Sequence, residues 1–326
     1  MTPEDISLIR QVLPETMTFH HYPDRQSPWL LANAMPGDMP VRTLRQGPLA
    51  RFLDRPLFKP VVAGCGGMLR QRDLIAVAHA GRAMQIGGLS AGALSALDVA
   101  YASTWRDYEL SFTSWGTGRD WAWEQVSRKG GNLVMQLGFP SEHAAILGRH
   151  FSAPVRKDFE YADHPIREAG RPTLAWVRLD IDLETGAALV EEVQSDWLRE
   201  VADQAAYLRR RDPKSRQLKA LESYAAKLSK AYAKDWAKSA LLAALMLLVD
   251  EFAVRDIWMH QPGPGAVLKD IRWSQPPRSL YTDLPKSFGF RPTHDVPAFL
   301  ERPCRKALKR LRQRGDPLFW RLQLGV

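Results

Sequence analysis

The chain has 326 residues, 45% of them hydrophobic and 25% charged, the profile of a folded globular protein and not of a disordered or collagen-like chain. Its two cysteines, Cys65 and Cys304, exclude a disulfide scaffold and a cysteine-built metal site, and its longest apolar run, 240–249, is too short to cross a bilayer. The formal net charge of +9 reads either as a well-solvated basic surface or as the mark of an anionic partner such as nucleic acid, a nucleotide-like cofactor or an acidic protein.

Residues 3–13 read as a short helix with Ile6, Ile9, Val12 and Leu13 on one face. Prolines at 23, 28, 36, 40, 48, 56 and 60 break the next stretch into an irregular wrapping segment with short helices at 29–34 and 49–53. Gly64-Cys65-Gly66-Gly67 precedes a helix over 68–80. It has no Gly-Lys-Ser/Thr ending, so it reads as a turn in preference to a phosphate loop. A small-residue helix is expected over 89–101 and a strand over 105–115. Trp105, Trp115, Trp121 and Trp123 fall close together, as core and interface or as a surface on which bases or an acyl chain stack. A strand over 132–139 follows, then a helix to His150 capped by Ser141, then a polar connection over 152–171.

Over 173–182 Leu174, Trp176, Arg178 and Asp180 alternate with Ala175, Val177, Leu179 and Ile181, the period of a half-buried strand. Glu184-Thr185-Gly186 reverses the chain, and 187–193 returns as the second strand of a hairpin. That strand ends in Glu191, Glu192, Gln194, Ser195 and Asp196, closed by Trp197, and a helix follows with Ser195 or Asp196 as its cap. Polar groups at a strand end facing a helix N-terminus are a common place for a site.

Helices over 198–211, 214–233 and 235–252 come next. After them the sequence predicts a strand over 255–260, a loop over 261–265 leading to a helix, a strand near Gly289, a basic helix over 303–314 and a final strand over 318–324. Cations cluster twice. One block, 209–219, holds Arg209, Arg210, Arg211 and Lys214. The other, 302–314, holds Arg305, Lys309 and Arg312. The expected architecture is α/β (α+β): a helical and irregular region over 1–125 wrapped on a mixed sheet with flanking helices over 126–326, with a helical insertion at 198–233. The acidic opening, Met1 to Asp5, lacks the order of a secretory signal, so a cytoplasmic location without membrane contact is expected.

Two stretches carry a resemblance. Ser279-Leu-Tyr-Thr-Asp-Leu-Pro-Lys-Ser-Phe-Gly-Phe-Arg-Pro292, with the element order from the hairpin onward, resembles the later part of a GCN5-related acetyltransferase. In that family a tyrosine before a Leu-Gly-Phe strand protonates the departing CoA thiolate, which implies this role for Tyr281. Glu192-Val193-Gln194-Ser195-Asp196-Trp197 is similar to a Glu-Ile-Gln-Ser-Asp-Trp motif in proteins of phage and mobile-element origin. One feature departs from the acetyltransferases: no glycine loop for a pyrophosphate follows Val193, and Asp196 stands where phosphate would lie.

Glu192, Gln194 and Asp196 share a side on a two-residue period, whereas Glu191 falls on the other. A buried carboxylate among them reads as a general base, or else Gln194 and Asp196 serve only to cap the helix. His260, ending the next strand, is expected beside Gln194 or Asp196. The leading expectation is acyl or aminoacyl transfer to an amine, with acyl-CoA or aminoacyl-tRNA as donor, Glu192 or Asp196 as base and Tyr281 as acid. The rival is a non-catalytic module that binds nucleic acid through the faces 209–219 and 302–314.

Overall fold

The computed structural model describes residues 1–56, 58–79, 105–116, 124–151, 156–167, 170–271 and 277–325. The helix expected over 89–101, and Trp121 and Trp123 of the aromatic group, lie outside them. The strands are β1 (Thr16–His21), β2 (Met39–Pro40), β3 (Met68–Leu69), β4 (Arg106–Trp115), β5 (Asn132–Gly138), β6 (Thr173–Asp182), β7 (Ala187–Gln194), β8 (Asp256–His260), β9 (Arg291–Thr293) and β10 (Phe319–Gln323). The main helices are α1 (Pro3–Val12), α2 (Gln26–Ala34), α3 (Gln71–Ala78), α4 (His143–His150), α5 (Asp196–Arg211), α6 (Arg216–Leu228), α7 (Trp236–Met246), α8 (Pro262–Leu268) and α9 (Arg305–Arg312).

The chain is a mixed α/β protein built on one eight-stranded sheet in the order β1-β4-β5-β6-β7-β8-β10-β9, with β2 and β3 paired separately. β1 and β4, both before residue 125, pair into that same sheet. Every neighbouring pair in it is antiparallel except β7 and β8, which run parallel. A parallel connection needs a long crossover, here supplied by α5, α6, α7 and two single π-turns, Ser229–Ala233 and Leu247–Glu251.

The hairpin forms where its periodicity places it, with Gly186 at a φ of 64° in the turn, a conformation that only glycine adopts without cost. Its strands are not half-buried as the alternation suggested. Nine of the ten β6 residues and seven of the eight β7 residues are buried, because helices cover both faces. On one face Val177, Leu179, Val190, Ile257 and Met259 meet Trp197, Leu221, Tyr224, Leu241 and Leu245 of the helices in a single apolar core. On the other, Leu189, Trp258 and Phe319 meet Leu268 of α8 and Leu308 and Leu311 of α9. Burying each such large side chain contributes roughly 1.5–3 kcal/mol. The polar members of the alternation, Arg178 and Asp180, lie on this second face, fully enclosed.

Ser195 caps α5, its hydroxyl accepting from the N–H of Leu198. Ser141 does not cap α4, which starts at His143 after Glu142 without a side-chain cap. Gln261-Pro-Gly-Pro-Gly265 is helical from Pro262 instead of forming a loop. Proline is at ease in a first turn because its missing N–H would be unpaired there anyway. Gly66 and Gly67 turn the chain at φ of 63° and 83° into β3, consistent with a turn and not a phosphate cradle.

Two irregularities position the site. Register between β6 and β7 shifts, with Arg178 opposite Glu192 but Leu179 opposite Val190, so Glu191 is an inserted bulge residue. The parallel pairing of β7 with β8 runs from Ala187 opposite Asp256 to Val190 opposite Met259 and stops there, although β7 continues to Gln194. β8 ends one residue further on, at His260, so the last residues of β7 have no strand beside them on that side, and this unpaired edge is the wedge.

Candidate functional site

The bulge changes which carboxylates meet. Strict alternation separates Glu191 from Glu192, but the extra residue turns both into one buried polar network on the α8–α9 face. Glu191 accepts from the Ser127 N–H at 3.0 Å, the Ser127 hydroxyl at 2.9 Å and His260 Nε2 at 2.9 Å. Glu192 pairs with the Arg178 guanidinium and lies 3.7 Å from Lys269 Nζ. Arg178 also donates to the main-chain oxygens of Glu124 and Gln125, and it lies over the rings of Trp115 and Trp176.

Burial works against the charge on Glu191, yet its hydrogen bonds and the cations Lys269 and Arg178 hold its pKa down at about 2. Glu192 is likewise lowered: burial opposes, and Lys269 and Arg178 prevail. Burial pushes His260 below the usual imidazole range despite Glu191. Glu191 is therefore ionised and His260 neutral. The bond from Nε2–H to the carboxylate fixes the tautomer, leaving Nδ1 with a bare lone pair and no partner among the described residues. Neither Glu191 nor Glu192 is a ready base in this state, since Glu191 is held by donors from Ser127 and His260 and Glu192 is paired with Arg178.

His260 does not sit beside Gln194 or Asp196 as the parallel register suggested; it meets Glu191. The reason is length: β8 ends at His260 while β7 runs on. Gln194 and Asp196 belong to an adjoining cluster. Asp196 accepts from His164 Nδ1 at 2.9 Å, from Trp176 Nε1 at 2.9 Å, from Gln194 and from Arg199 at 2.7 Å. Burial opposes its ionisation, but these donors lower its pKa. A carboxylate held by four donors orients its neighbours and is a poor base itself.

The wedge is occupied by two side chains. Lys269 Nζ donates to the main-chain carbonyl of Glu191 at 3.1 Å, and the Tyr281 hydroxyl faces the main chain of Val193 without a well-formed hydrogen bond among the described residues. Both groups belong to the part of β7 that β8 leaves unpaired. Burial raises the Tyr281 phenol well above its usual range, so it remains a proton donor at neutral pH. His260, Gln261, Gly265, Lys269 and Tyr281 line a cavity of about 20 Å³, enough for one water molecule. His260, Lys269 and Tyr281 thus do share one crevice, but it is small, and Gln194 and Asp196 lie outside its lining.

The two basic blocks part company. Arg209, Arg210, Arg211 and Lys214 are exposed beside α5 and α6, with Arg209 paired to Glu222, and those helices cover one sheet face. Arg305, Lys309 and Arg312 project from α9 on the opposite face, with Arg312 paired to Glu301. Only the second block shares a face with the polar network.

Four participants escaped the sequence reading: Ser127, His164, Arg178 and Lys269. Arg178 carried a signal, a charge on a strand too apolar to be an edge. Ser127 and His164 lie in connections without periodicity. Among the described residues, no group of three or more His, Cys, Asp or Glu side chains is placed to hold a metal ion. Compared with family models, curated proteins and solved structures, the chain matches none significantly.

Proposed function

We propose that the chain is an N-acyltransferase whose donor enters the wedge between β7 and β8. The observation that carries this reading is the end of the β7–β8 pairing after Val190 and Met259, with Lys269 donating to the Glu191 carbonyl and the Tyr281 hydroxyl facing the Val193 main chain without a well-formed hydrogen bond. An unpaired strand edge inside a sheet suits an extended, amide-bearing ligand, which adds as a further strand. From β6 onward the elements run strand, strand, helices, strand, helices, strand, helices, strand, so helices separate β9 from β10 where the acetyltransferase resemblance expected adjacent strands.

Acyl-CoA fits this role as an acyl thioester on an amide-bearing arm. Its phosphates do not fit the α5 N-terminus, where Ser195 takes the Leu198 N–H and Asp196 adds negative charge. The cations of α9, on the face of the network, are the better place for them. In the transfer the amine lone pair forms the C–N bond and the C–S bond breaks with its electrons on sulfur. The substrate enters as an ammonium and loses one proton to a base, which frees that lone pair; Tyr281 protonates the departing sulfur and is restored by the single proton that the new amide nitrogen sheds. Aminoacyl-tRNA is a second donor reading, favoured by the exposed cations of α9; a ribose oxygen then leaves in place of sulfur.

The test is titration with acetyl-CoA, free CoA and tRNA, read as stabilisation of the fold, followed by turnover of Tyr281→Phe. Unchanged turnover in that variant removes the proposed acid. Binding of tRNA alone, weakening steeply with salt, selects the second donor.

A further inference from the structure

His164 is the one titratable ring of the network that reaches solvent. Its side chain is 25% exposed, against 0% for His260. It comes from a connection between short helix 156–159 and β6, and three aromatic rings surround it. Tyr161 lies 4.7 Å away, Trp176 5.5 Å and Trp115 6.3 Å, centroid to centroid, all edge-on. Nδ1 is fixed by the buried Asp196 carboxylate, with both oxygens at 2.9 Å. Asp196 is in turn fixed by Trp176, Gln194 and Arg199. Nε2 has no hydrogen-bond partner among the described residues. A carboxylate that accepts the Nδ1 proton orients the ring and leaves the Nε2 lone pair directed away from it. Through Asp196 and Gln194 this rim adjoins the end of β7, the strand whose last residues form the unpaired edge.

We infer that the rim formed by His164, Trp115 and Tyr161 is the acceptor site of the proposed transfer, with His164 Nε2 as the proton acceptor for a primary amine on an apolar or aromatic stem. This rests on the acyl-transfer reading. The exposed part of Tyr161 and the partly buried Trp115 supply flat apolar walls for the stem. The substrate arrives as the ammonium and gives one proton to Nε2, which frees the nitrogen lone pair, and the charge on the ring is balanced by Asp196 behind it. The proton taken by Nε2 passes to water, which closes the proton balance of the transfer. Asp196 is a positioning residue; its own oxygens are all engaged.

The experiment uses the whole chain with ring-labelled histidine and phenethylamine as probe, with 2-phenylethanol as the neutral control. The His164 resonances are assigned by their loss in His164→Gln. Saturable displacement of those resonances by phenethylamine is expected, at least tenfold tighter than by the alcohol and several-fold weaker in Tyr161→Ala, a surface change that spares the core. Thiol release from acetyl-CoA driven by the same amine is expected to fall by 10²–10⁴ in His164→Gln, the usual contribution of a general base, with acetyl-CoA affinity unchanged. Displacement at His164 without thiol release in the native chain overturns the acyl-transfer reading and leaves an amine site. No displacement, or equal thiol release in His164→Gln, overturns the inference whatever the transfer result.

Discussion

Lys269 donates its ammonium to the carbonyl of Glu191 across 3.1 Å, closing from the side a gap that a neighbouring strand would otherwise fill. The same ammonium stands 3.7 Å from Glu192 and 5.7 Å from the centre of the Tyr281 ring. One side chain therefore joins the unpaired strand edge, the buried carboxylates and the proposed acid. Burial lowers the Lys269 pKa, with Glu192 opposing. Its charge depends on these neighbours and theirs on it.

Replacing Lys269 by Met therefore leaves Glu192 with Arg178 alone and a buried carbonyl without a donor. Breaking a buried pair from one side costs about 3–5 kcal/mol. Urea unfolding of Lys269→Met checks this, and a loss under about 1 kcal/mol contradicts the network as described.

The network also sets an acid limit. Its hydrogen bonds and neighbouring cations hold Glu191 at about 2 in the fold, below the ordinary 4.5 of a glutamate, so its contribution is complete above the unfolded value and is lost as pH falls from 4.5 toward 2. His21 and His143, held neutral by burial with pKa values of about 3 and 4, bind protons more readily when unfolded, so stability falls as pH drops below 6.5. Asp250, raised by burial to about 6, runs the other way between 3.8 and 6, one group against three. Stability measured by denaturant titration should decline from pH 6.5 downward and most steeply below 4.5. A flat profile from 6.5 to 3.5 contradicts the assignments.

Gly265 lines the cavity beside His260, and a Cβ there would lie 2.7 Å from His260 Cβ and 3.0 Å from Cγ. The helix backbone itself tolerates alanine. Gly265→Ala should displace the imidazole at a cost of about 1–3 kcal/mol and disturb its bond to Glu191. Calorimetric melting checks the cost, and an unchanged or raised melting temperature contradicts the close approach.

Much of this was legible in the residues, and the failures have physical causes. The hairpin and the Ser195 cap depend on contacts within a few positions, so periodicity and cap chemistry found them. The polar stripe of β6 looked solvent-facing because two-residue alternation cannot distinguish water from a buried ionic network. The bulge at Glu191 is a single inserted residue, invisible in composition, yet it reverses which carboxylates share a face. His260 and Glu191 lie 69 positions apart in the chain and meet through a crossover whose length fixes no register. His164 sits in a polar connection where no pattern marks it. Trp197, which closes the polar end of β7 in the sequence, is fully buried and donates to the Tyr224 hydroxyl at 2.8 Å.

Charge placement gives a further expectation. Because α5 and α9 lie on opposite faces of the sheet, reversing Arg305, Lys309 and Arg312 to Glu should weaken an anionic donor at least tenfold, while reversing Arg209, Arg210 and Arg211 should leave it within about twofold. Calorimetric titration with acetyl-CoA at two salt concentrations checks this. Equal losses from both sets would place the anion elsewhere.

The central claim is that the gap between β7 and β8 takes an acyl thioester in place of Lys269 and Tyr281. Thermal melting with acetyl-CoA reads it most directly. The account predicts a rise that saturates with ligand and reaches about 2.7 kcal/mol of added stability at a hundredfold excess over Kd. A melting temperature that acetyl-CoA leaves unmoved up to millimolar concentration, in a chain shown to be folded, contradicts it.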